Sequence, residues 1–123
     1  MLDNPISYGL TIKNTKTMGK GVFTLIPFKK GEYIAPYSYE KKNEYTIANF
    51  KKKYGDDTLY TYRNQRKNLV ISVKDNRNVI TYINENKKSP NVILKSLKLY
   101  ALRDIKRGEQ LFLKYYYKTD FSV

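Results

Sequence analysis

Short strand-like runs, each broken within a few residues by glycine, proline or a polar cluster, constrain this fold more than any other feature of the chain. The clearest runs are residues 7–13, 21–25, 33–39, 59–62, 69–73, 92–94, 98–101 and 110–115. Pro27 and Pro36 favour short or edge strands. The best helical candidate is residues 46–54, which ends at a plausible C-cap, Gly55. We therefore expect a mainly β fold of the α+β class.

Three connecting segments are also predicted from their composition. Residues 79–83 are apolar and indicate a short helix or a buried turn, whereas residues 84–91 are polar and indicate a loop. Residues 104–108 indicate a polar turn between two strands. No repeat or linker interrupts the pattern, so we expect a single domain over residues 1–123.

The apolar content predicts a packed interior without a membrane span. Hydrophobic residues make up 41% of the chain, yet no run approaches the roughly 18 apolar residues of a transmembrane helix. The first residues lack the basic and apolar stretches of a signal peptide. These features predict an intracellular protein with no membrane partner.

Cysteine and histidine are both absent from the sequence. Their absence excludes disulfides, thiolate zinc sites, cysteine nucleophiles and histidine general bases, and we predict no metal site. Any catalysis must use tyrosine, lysine, a carboxylate, backbone groups or a bound cofactor.

The formal net charge of +13 favours an anionic partner such as nucleic acid. The 24 basic residues are spread along the whole chain, which equally suits a generic solvated surface. Charge alone therefore leaves both interpretations open.

Three groups of residues have the chemistry of a binding or catalytic site. Gly19 and Gly21 can bring backbone N–H groups close to a ligand, although a tight turn between two strands is the commoner role of such a pair. Asn84 offers donors and an acceptor, although it can also cap its own loop. Tyr115 and Tyr117 share one face of a predicted strand, where packing is the alternative role.

In their order along the chain, these segments resemble the SET domain, the fold of S-adenosylmethionine-dependent protein lysine methyltransferases. That family has G-x-G-[VF]-[FA], then K-G-E, then R-F-x-N-H-S-C-x-P-N, and finally R-D-I-x-x-G-E-E-L-x-[FY]-x-Y. The corresponding segments are Gly19-Lys20-Gly21-Val22-Phe23, Lys30-Gly31-Glu32, Tyr82-Ile83-Asn84-Glu85-Asn86 with Pro90-Asn91, and Arg103-Asp104-Ile105-Lys106-Arg107-Gly108-Glu109-Gln110-Leu111 with Tyr115. The resemblance spans about residues 7–117 and implies a minimal, free-standing SET domain of the viral or bacterial type. It also implies a β-clip of small sheets with a knot-like threading of the C-terminal segment.

The resemblance assigns roles to individual residues. Tyr115 becomes the catalytic phenol, with Tyr117 in its place if the register slips by two. The lysine channel comprises Leu113, Tyr37 and Tyr115, and the absence of a hydroxyl at Leu113 predicts multiple methylation. The cofactor-binding residues are Gly19, Lys20, Gly21, Tyr82, Asn84, Glu85 and Phe121, the last from a tail at residues 118–123 that is a candidate lid.

The sequence departs from the family pattern in four ways. Glu85 and Asn86 replace the His-Ser pair, and one extra residue precedes Pro90-Asn91. Thr81 stands where the family has arginine, and residues 118–123 contain no cysteine, so we expect no cysteine-rich zinc segment of the family type.

The resemblance implies an S-adenosylmethionine-dependent protein lysine N-methyltransferase, with a histone tail as one candidate substrate among protein lysines. Nucleosomal DNA is a candidate partner for the basic surface, and a homodimer is compatible with a free-standing domain. The compartment would be the nucleus, that of a host for a viral or bacterial effector, or the cytoplasm. The alternative is a catalytically impaired SET-like domain that serves as a basic nucleic-acid- or protein-binding module.

Overall fold

The computed structural model describes residues 1–114, which contain ten short β-strands and one α-helix. The strands are β1 Leu10–Asn14, β2 Lys20–Thr24, β3 Tyr33–Pro36, β4 Glu44–Thr46, β5 Thr61–Asn64, β6 Leu69–Ser72, β7 Asn84–Glu85, β8 Val92–Lys95, β9 Lys98–Ala101 and β10 Phe112–Leu113. The α-helix is α1 Ile47–Tyr54, and 3-10 helices occupy Pro5–Tyr8, Lys41–Asn43 and Val79–Tyr82. Within residues 1–114, no helix has the length and apolar character needed to cross a membrane.

The described residues divide into two compact units. The first is formed by residues 1–38 and 78–114, and the second by residues 39–77. The prediction of one domain over residues 1–123 stays a prediction.

The first unit begins with the antiparallel hairpin of β1 and β2, paired from Leu10 with Thr24 to Asn14 with Lys20. Thr15 closes its turn, because the Thr15 backbone N–H and hydroxyl both donate to the Gly19 carbonyl, at 2.6 and 2.8 Å. The two glycines of this hairpin therefore sit at a defined turn and in the strand that follows it.

A five-stranded sheet forms most of the first unit, in the order β3-β9-β8-β10-β7. Strand β10 runs parallel to both neighbours, with Phe112 paired to Asn84 and Leu113 to Val92. The last described strand thus lies between two strands that are close together in sequence. This is the arrangement that the predicted knot-like threading requires.

Asn91 joins β10 to the segment before β8. Its side-chain Nδ2 donates to the Gln110 carbonyl at 2.9 Å, and its Oδ1 accepts from the Phe112 backbone N–H at 2.7 Å. Asn91 is 1% exposed, so the amide replaces a rung of the β-ladder inside the protein.

The core of the first unit is aliphatic and drawn from nearly every strand. Its buried apolar residues include Leu10, Val22, Phe28, Ile34, Val79, Ile80, Val92, Leu99, Ile105, Leu111 and Leu113. Both hairpin strands and β10 contribute side chains to this set, so the core fixes the elements that carry the predicted site.

The second unit is a three-stranded antiparallel sheet, in the order β4-β6-β5, with α1 packed on it. The buried cluster comprises Ile47 and Phe50 of the helix and Val70 of β6. Thr46 caps α1 by accepting a hydrogen bond from the Asn49 backbone N–H at 3.2 Å, and the helix ends before Gly55 as predicted.

The sequence pattern was wrong in three places. It predicted no strand at β4, because three residues are too few to show a period. The 3-10 helix Pro5–Tyr8 occupies the start of the predicted strand at residues 7–13, because Asn4 caps a helical turn that begins with proline. Residues 84 and 85 form β7 inside the predicted loop, because β10 supplies a strand partner from a distant part of the chain.

Candidate functional site

The two glycines of the hairpin are required for different reasons. Gly19 has φ +68°, and a Cβ there would meet no atom within 4 Å, so the backbone conformation favours glycine. A Cβ on Gly21 would lie 2.6 Å from Gln110 Oε1 and 3.0 Å from both Asn84 Nδ2 and Thr15 Cγ2. Space rather than backbone angle therefore favours glycine at position 21, because a methyl group there would displace the ends of the Gln110 and Asn84 side chains.

The Asn84 side chain packs beside Gly21. Its Nδ2 donates to the Lys20 carbonyl at 3.0 Å, across 64 residues of sequence, and to Gln110 Oε1 at 3.0 Å. The structure thus brings together the glycine segment and the asparagine that the sequence singled out separately.

Gln110 was not predicted as a site residue. Its position is fixed by a β-bridge to Phe23 and by the Asn91 side chain on its carbonyl. The sequence signal that could have found it is its place in the segment that matches G-E-E-L, where glutamine stands for the second glutamate.

The turn before Gln110 is held by an ion pair. Arg103 Nη2 lies 2.9 Å from Glu109 Oε2, and the Lys106 backbone N–H donates to Glu109 Oε1 at 2.8 Å. The Arg103 guanidinium, followed by that backbone N–H, lowers the pKa of Glu109. The Glu109 carboxylate therefore stays ionised and holds the turn that leads into Gln110.

An open cleft of about 590 Å³ lies at the end of the hairpin. It is lined by Met1, Ile12, Lys13, Asn14, Lys20 and Tyr82. The lining combines two ammonium groups, a carboxamide and an aromatic ring. Such a mixture suits a ligand that carries an anionic group and an aromatic system.

Tyr82 reaches this cleft from the 3-10 helix Val79–Tyr82. Asn78, fully buried, caps that helix by accepting from the Thr81 backbone N–H at 3.1 Å and donates to the Ser38 carbonyl at 2.8 Å. The Val79 N–H donates to Asp3 Oδ1 at 2.9 Å. These bonds fix the helix that carries the ring.

The remaining predicted residues are less closely grouped. Leu113 is 2% exposed in β10. Tyr37 is buried and directly follows β3, which is separated from β10 in the sheet by β9 and β8. Tyr115, Tyr117 and Phe121 lie outside the described residues.

Glu85 and Asn86, which replace the family's His-Ser pair, lie where β7 meets β10. Glu85 pairs with Leu113, and the Asn86 backbone N–H donates to the Leu113 carbonyl at 3.0 Å. Asn86 Oδ1 accepts from the backbone N–H groups of Lys88 and Ser89, at 3.2 and 3.0 Å. The extra residue therefore falls in or after a compact turn that the Asn86 side chain caps.

The SET domain family model matches residues 19–116, and the chain therefore belongs to the SET domain family. SET domains form the family of protein lysine methyltransferases that use S-adenosylmethionine. The resemblance read from the motifs is confirmed.

The chain is also similar to a solved structure described as a humanized mutant of the Chaetomium thermophilum Polycomb Repressive Complex 2 bound to the inhibitor GSK126. The TM-score is 0.69 at 19% identity, and the match covers 86% of this chain and 14% of that chain. At this identity the likeness shows the fold, and the predicted fold class is confirmed. No curated protein matches.

Proposed function

We propose that this chain is an S-adenosylmethionine-dependent protein lysine N-methyltransferase. One observation carries the proposal. The Gly19–Gly21 segment and Asn84, which the sequence indicated as two separate candidates, are joined by the hydrogen bond from Asn84 to the Lys20 carbonyl, beside a cleft that Lys20 and Tyr82 line. Because the chain belongs to the SET domain family, we expect S-adenosylmethionine to bind in that cleft.

The cleft residues suit S-adenosylmethionine. The cleft volume of about 590 Å³ lies within the usual range for small-molecule sites. Lys13 and Lys20 would attract the carboxylate of the methionyl group, and the Tyr82 ring would pack on the purine. When bound, S-adenosylmethionine supplies the methyl group as part of a sulfonium.

The chain itself must receive the target lysine in its neutral form. A free lysine has a pKa of about 10.4, so an apolar channel that disfavours the ammonium ion would promote deprotonation. We assign Leu113, which is 2% exposed, to this channel from the family register. No histidine base is needed. Tyr115, two residues beyond β10, is the residue we assign to orient the amine through its phenol oxygen.

Leu113 also carries a prediction about product state. It has no hydroxyl to retain a water molecule in the channel, so the amine can turn after each transfer. We expect di- and trimethylated lysine, and mass spectrometry that finds only monomethyl product would contradict this assignment.

The test combines a binding and an activity measurement. We expect calorimetry to detect S-adenosylmethionine binding, and labelled methyl transfer to lysine in histones or in bulk protein. Tyr115→Phe should lose most activity while Tyr117→Phe, the matched control, retains it. The reverse pattern would assign the catalytic role to the Tyr117 phenol. Full activity in both variants would show that neither phenol takes part in the reaction.

The second unit supports a further partner, duplex DNA. Residues 39–77 contain ten lysines and arginines against five acidic residues. Lys51 and Lys52 at the end of α1, and Arg66 and Lys67 in the turn between β5 and β6, are exposed. Within the described part of the chain, none of these four forms an ion pair. They are available for phosphates.

Two aromatic rings of this unit, those of Tyr45 and Tyr54, are poorly placed for base stacking, which favours phosphate contacts near α1. Tyr45 and Tyr54 pack edge to face at 5.9 Å, and Lys53 Nζ lies 5.5 and 5.2 Å from their ring centroids. Because these rings already pack on each other and on an ammonium group, they are poor platforms for bases. A DNA contact would help a basic enzyme to approach a basic histone tail.

Fluorescence anisotropy with a labelled duplex tests this contact. Lys51→Glu/Lys52→Glu should weaken binding and reduce the slope of log K against log salt by about 2. The control is Lys29→Glu/Lys30→Glu, an exposed pair in the first unit. Equal losses in both variants would contradict a specific surface. DNA binding without any S-adenosylmethionine binding would favour the alternative, a non-catalytic binding module.

A further inference from the structure

The Asn84 carboxamide is held by two acceptors at once. Its Nδ2 donates to the Lys20 carbonyl and to Gln110 Oε1, each at 3.0 Å. A carboxamide nitrogen has two N–H donors, so these bonds use both. Asn84 Oδ1 therefore faces away from them and, within residues 1–114, accepts no hydrogen bond.

Gln110 is itself fixed where it makes this contact. Its backbone forms a bridge to Phe23 and its carbonyl accepts from Asn91, so the side chain starts from a rigid point. Its Oε1 passes over Gly21, where a Cβ would lie at 2.6 Å. The approach is possible because position 21 has no side chain.

These contacts select one orientation of Asn84. If its amide turned over, Oδ1 would face the Lys20 carbonyl, which has no proton to donate. Gln110 would also have to turn over in order to keep its own bond to Asn84. Without Gln110, only the Lys20 carbonyl would hold the amide.

We propose that Gln110 is a positioning residue of the cofactor site, which fixes the Asn84 carboxamide so that Oδ1 accepts a hydrogen bond from an amino group of the bound ligand. This inference rests on the proposed function, because the ligand is S-adenosylmethionine, which carries an α-ammonium and an adenine amino group. Gln110 acts through Asn84 and does not touch the reacting atoms.

Calorimetric titration of three variants tests the role. Gln110→Ala should raise the Kd for S-adenosylmethionine about tenfold, the value of one hydrogen bond to a charged or polar group. Gln110→Glu keeps an acceptor oxygen and should stay within about threefold of the wild type. Gln65→Ala, at the other glutamine of the chain, exposed in a turn, should leave the Kd unchanged.

S-adenosylhomocysteine serves as the second probe, because it keeps both amino groups and lacks the sulfonium. The same loss with both ligands is expected. A loss confined to S-adenosylmethionine, or an equal loss in Gln110→Glu and Gln110→Ala, would overturn the proposal. Melting temperatures of all variants, measured in parallel, ensure that folded protein is titrated.

A measurement without ligand separates this proposal from the proposed function. In NMR spectra of the wild type, the Asn84 side-chain N–H protons should exchange slowly with water. Gln110→Ala should accelerate one of them, and Gln110→Glu should restore it. If the wild type binds neither ligand, the proposed function fails, and the proposal fails with it as a statement about a ligand site. If ligand binds and Gln110→Ala changes neither Kd nor exchange, only the positioning role is refuted.

Discussion

Replacing Asn91 with alanine provides the sharpest test of how β10 is held. The Asn91 side chain donates to the Gln110 carbonyl at 2.9 Å and accepts from the Phe112 N–H at 2.7 Å. Asn91→Ala removes both bonds at once and leaves those two backbone groups without their side-chain partner. Asn91 is 1% exposed, so its side chain is shielded from water although the two bonds it makes are only partly buried.

The expected loss follows from these two bonds. A buried polar group left without a partner costs about 1–3 kcal/mol, and both groups here are only partly buried. We therefore expect Asn91→Ala to lower the free energy of unfolding by about 2–4 kcal/mol, against a typical total of about 5–15 kcal/mol. Urea denaturation followed by tyrosine fluorescence measures the loss. Asn76→Ala, at an exposed asparagine, is the control and should change stability by less than about 0.5 kcal/mol.

Asn91→Asp turns the same site into a pH-dependent one. A protonated carboxyl can still donate to the Gln110 carbonyl, whereas a carboxylate at this buried position faces that oxygen without a proton. Burial and this carbonyl should raise the folded-state pKa of the new aspartate above its unfolded value of about 3.9. Its stability contribution is then present below the unfolded pKa and lost as the pH rises through the folded pKa. Relative to the wild type, the variant should be more stable at acid pH than at neutral pH. An Asn91→Ala loss below about 1 kcal/mol, or an Asn91→Asp difference independent of pH, would refute the reasoning.

Three further predictions concern single contacts. Gly21→Ala should weaken S-adenosylmethionine binding measured by calorimetry. Adding Gln110→Ala should relieve the stability cost of the new methyl group, since Gln110 Oε1 is its nearest neighbour at 2.6 Å. Strictly additive losses of stability in the double variant would contradict this contact. Phe50→Ala should cost about 3–5 kcal/mol in urea denaturation, because the ring is 0% exposed in the second unit; a loss below about 1 kcal/mol would show that the ring is not packed as described. The Arg103 ion pair lowers the pKa of Glu109, so its stabilising contribution is present above the unfolded pKa and is lost as the pH falls through the folded one. Glu109→Gln should therefore flatten the acid limb of the stability curve, and an unchanged limb would contradict it.

Local patterns predicted the elements whose formation depends on neighbouring residues. The hairpin strands β1 and β2, the helix α1 with its Gly55 end, and the polar turn after Asp104 all followed from periodicity and turn residues. Each has its partner or its cap within a short stretch of sequence. This is why local rules were sufficient for them.

Elements that depend on distant partners could not be predicted in this way. Strand β7 has only two residues, and it exists as a strand because β10 pairs with it, Phe112 with Asn84 and Leu113 with Glu85. Strand β4 has three residues and pairs with β6. Neither contains a local pattern long enough to reveal its period.

The site shows the same division. The sequence indicated that Gly19 and Gly21 matter, but it could not distinguish a glycine required by its φ angle from one required by space. That distinction depends on Gln110, which is 89 residues from Gly21 and was read only as part of a turn motif. A single sequence contains no information about which side chain will approach a given glycine.

The extra residue before Pro90-Asn91 is the departure from the family pattern that most directly concerns the threading of β10. The pairing on both sides of it is intact: the Asn86 N–H donates to the Leu113 carbonyl, and the Asn91 N–H donates to the Phe112 carbonyl, each at 3.0 Å. Between these two anchors, Asn86 caps a turn whose next three residues are exposed. An added residue in an exposed turn costs little, since loop-closure entropy grows slowly with length. The insertion therefore lengthens the loop around β10 without displacing Asn84 or Leu113, and the change of His to Glu85 remains the departure that bears most directly on activity.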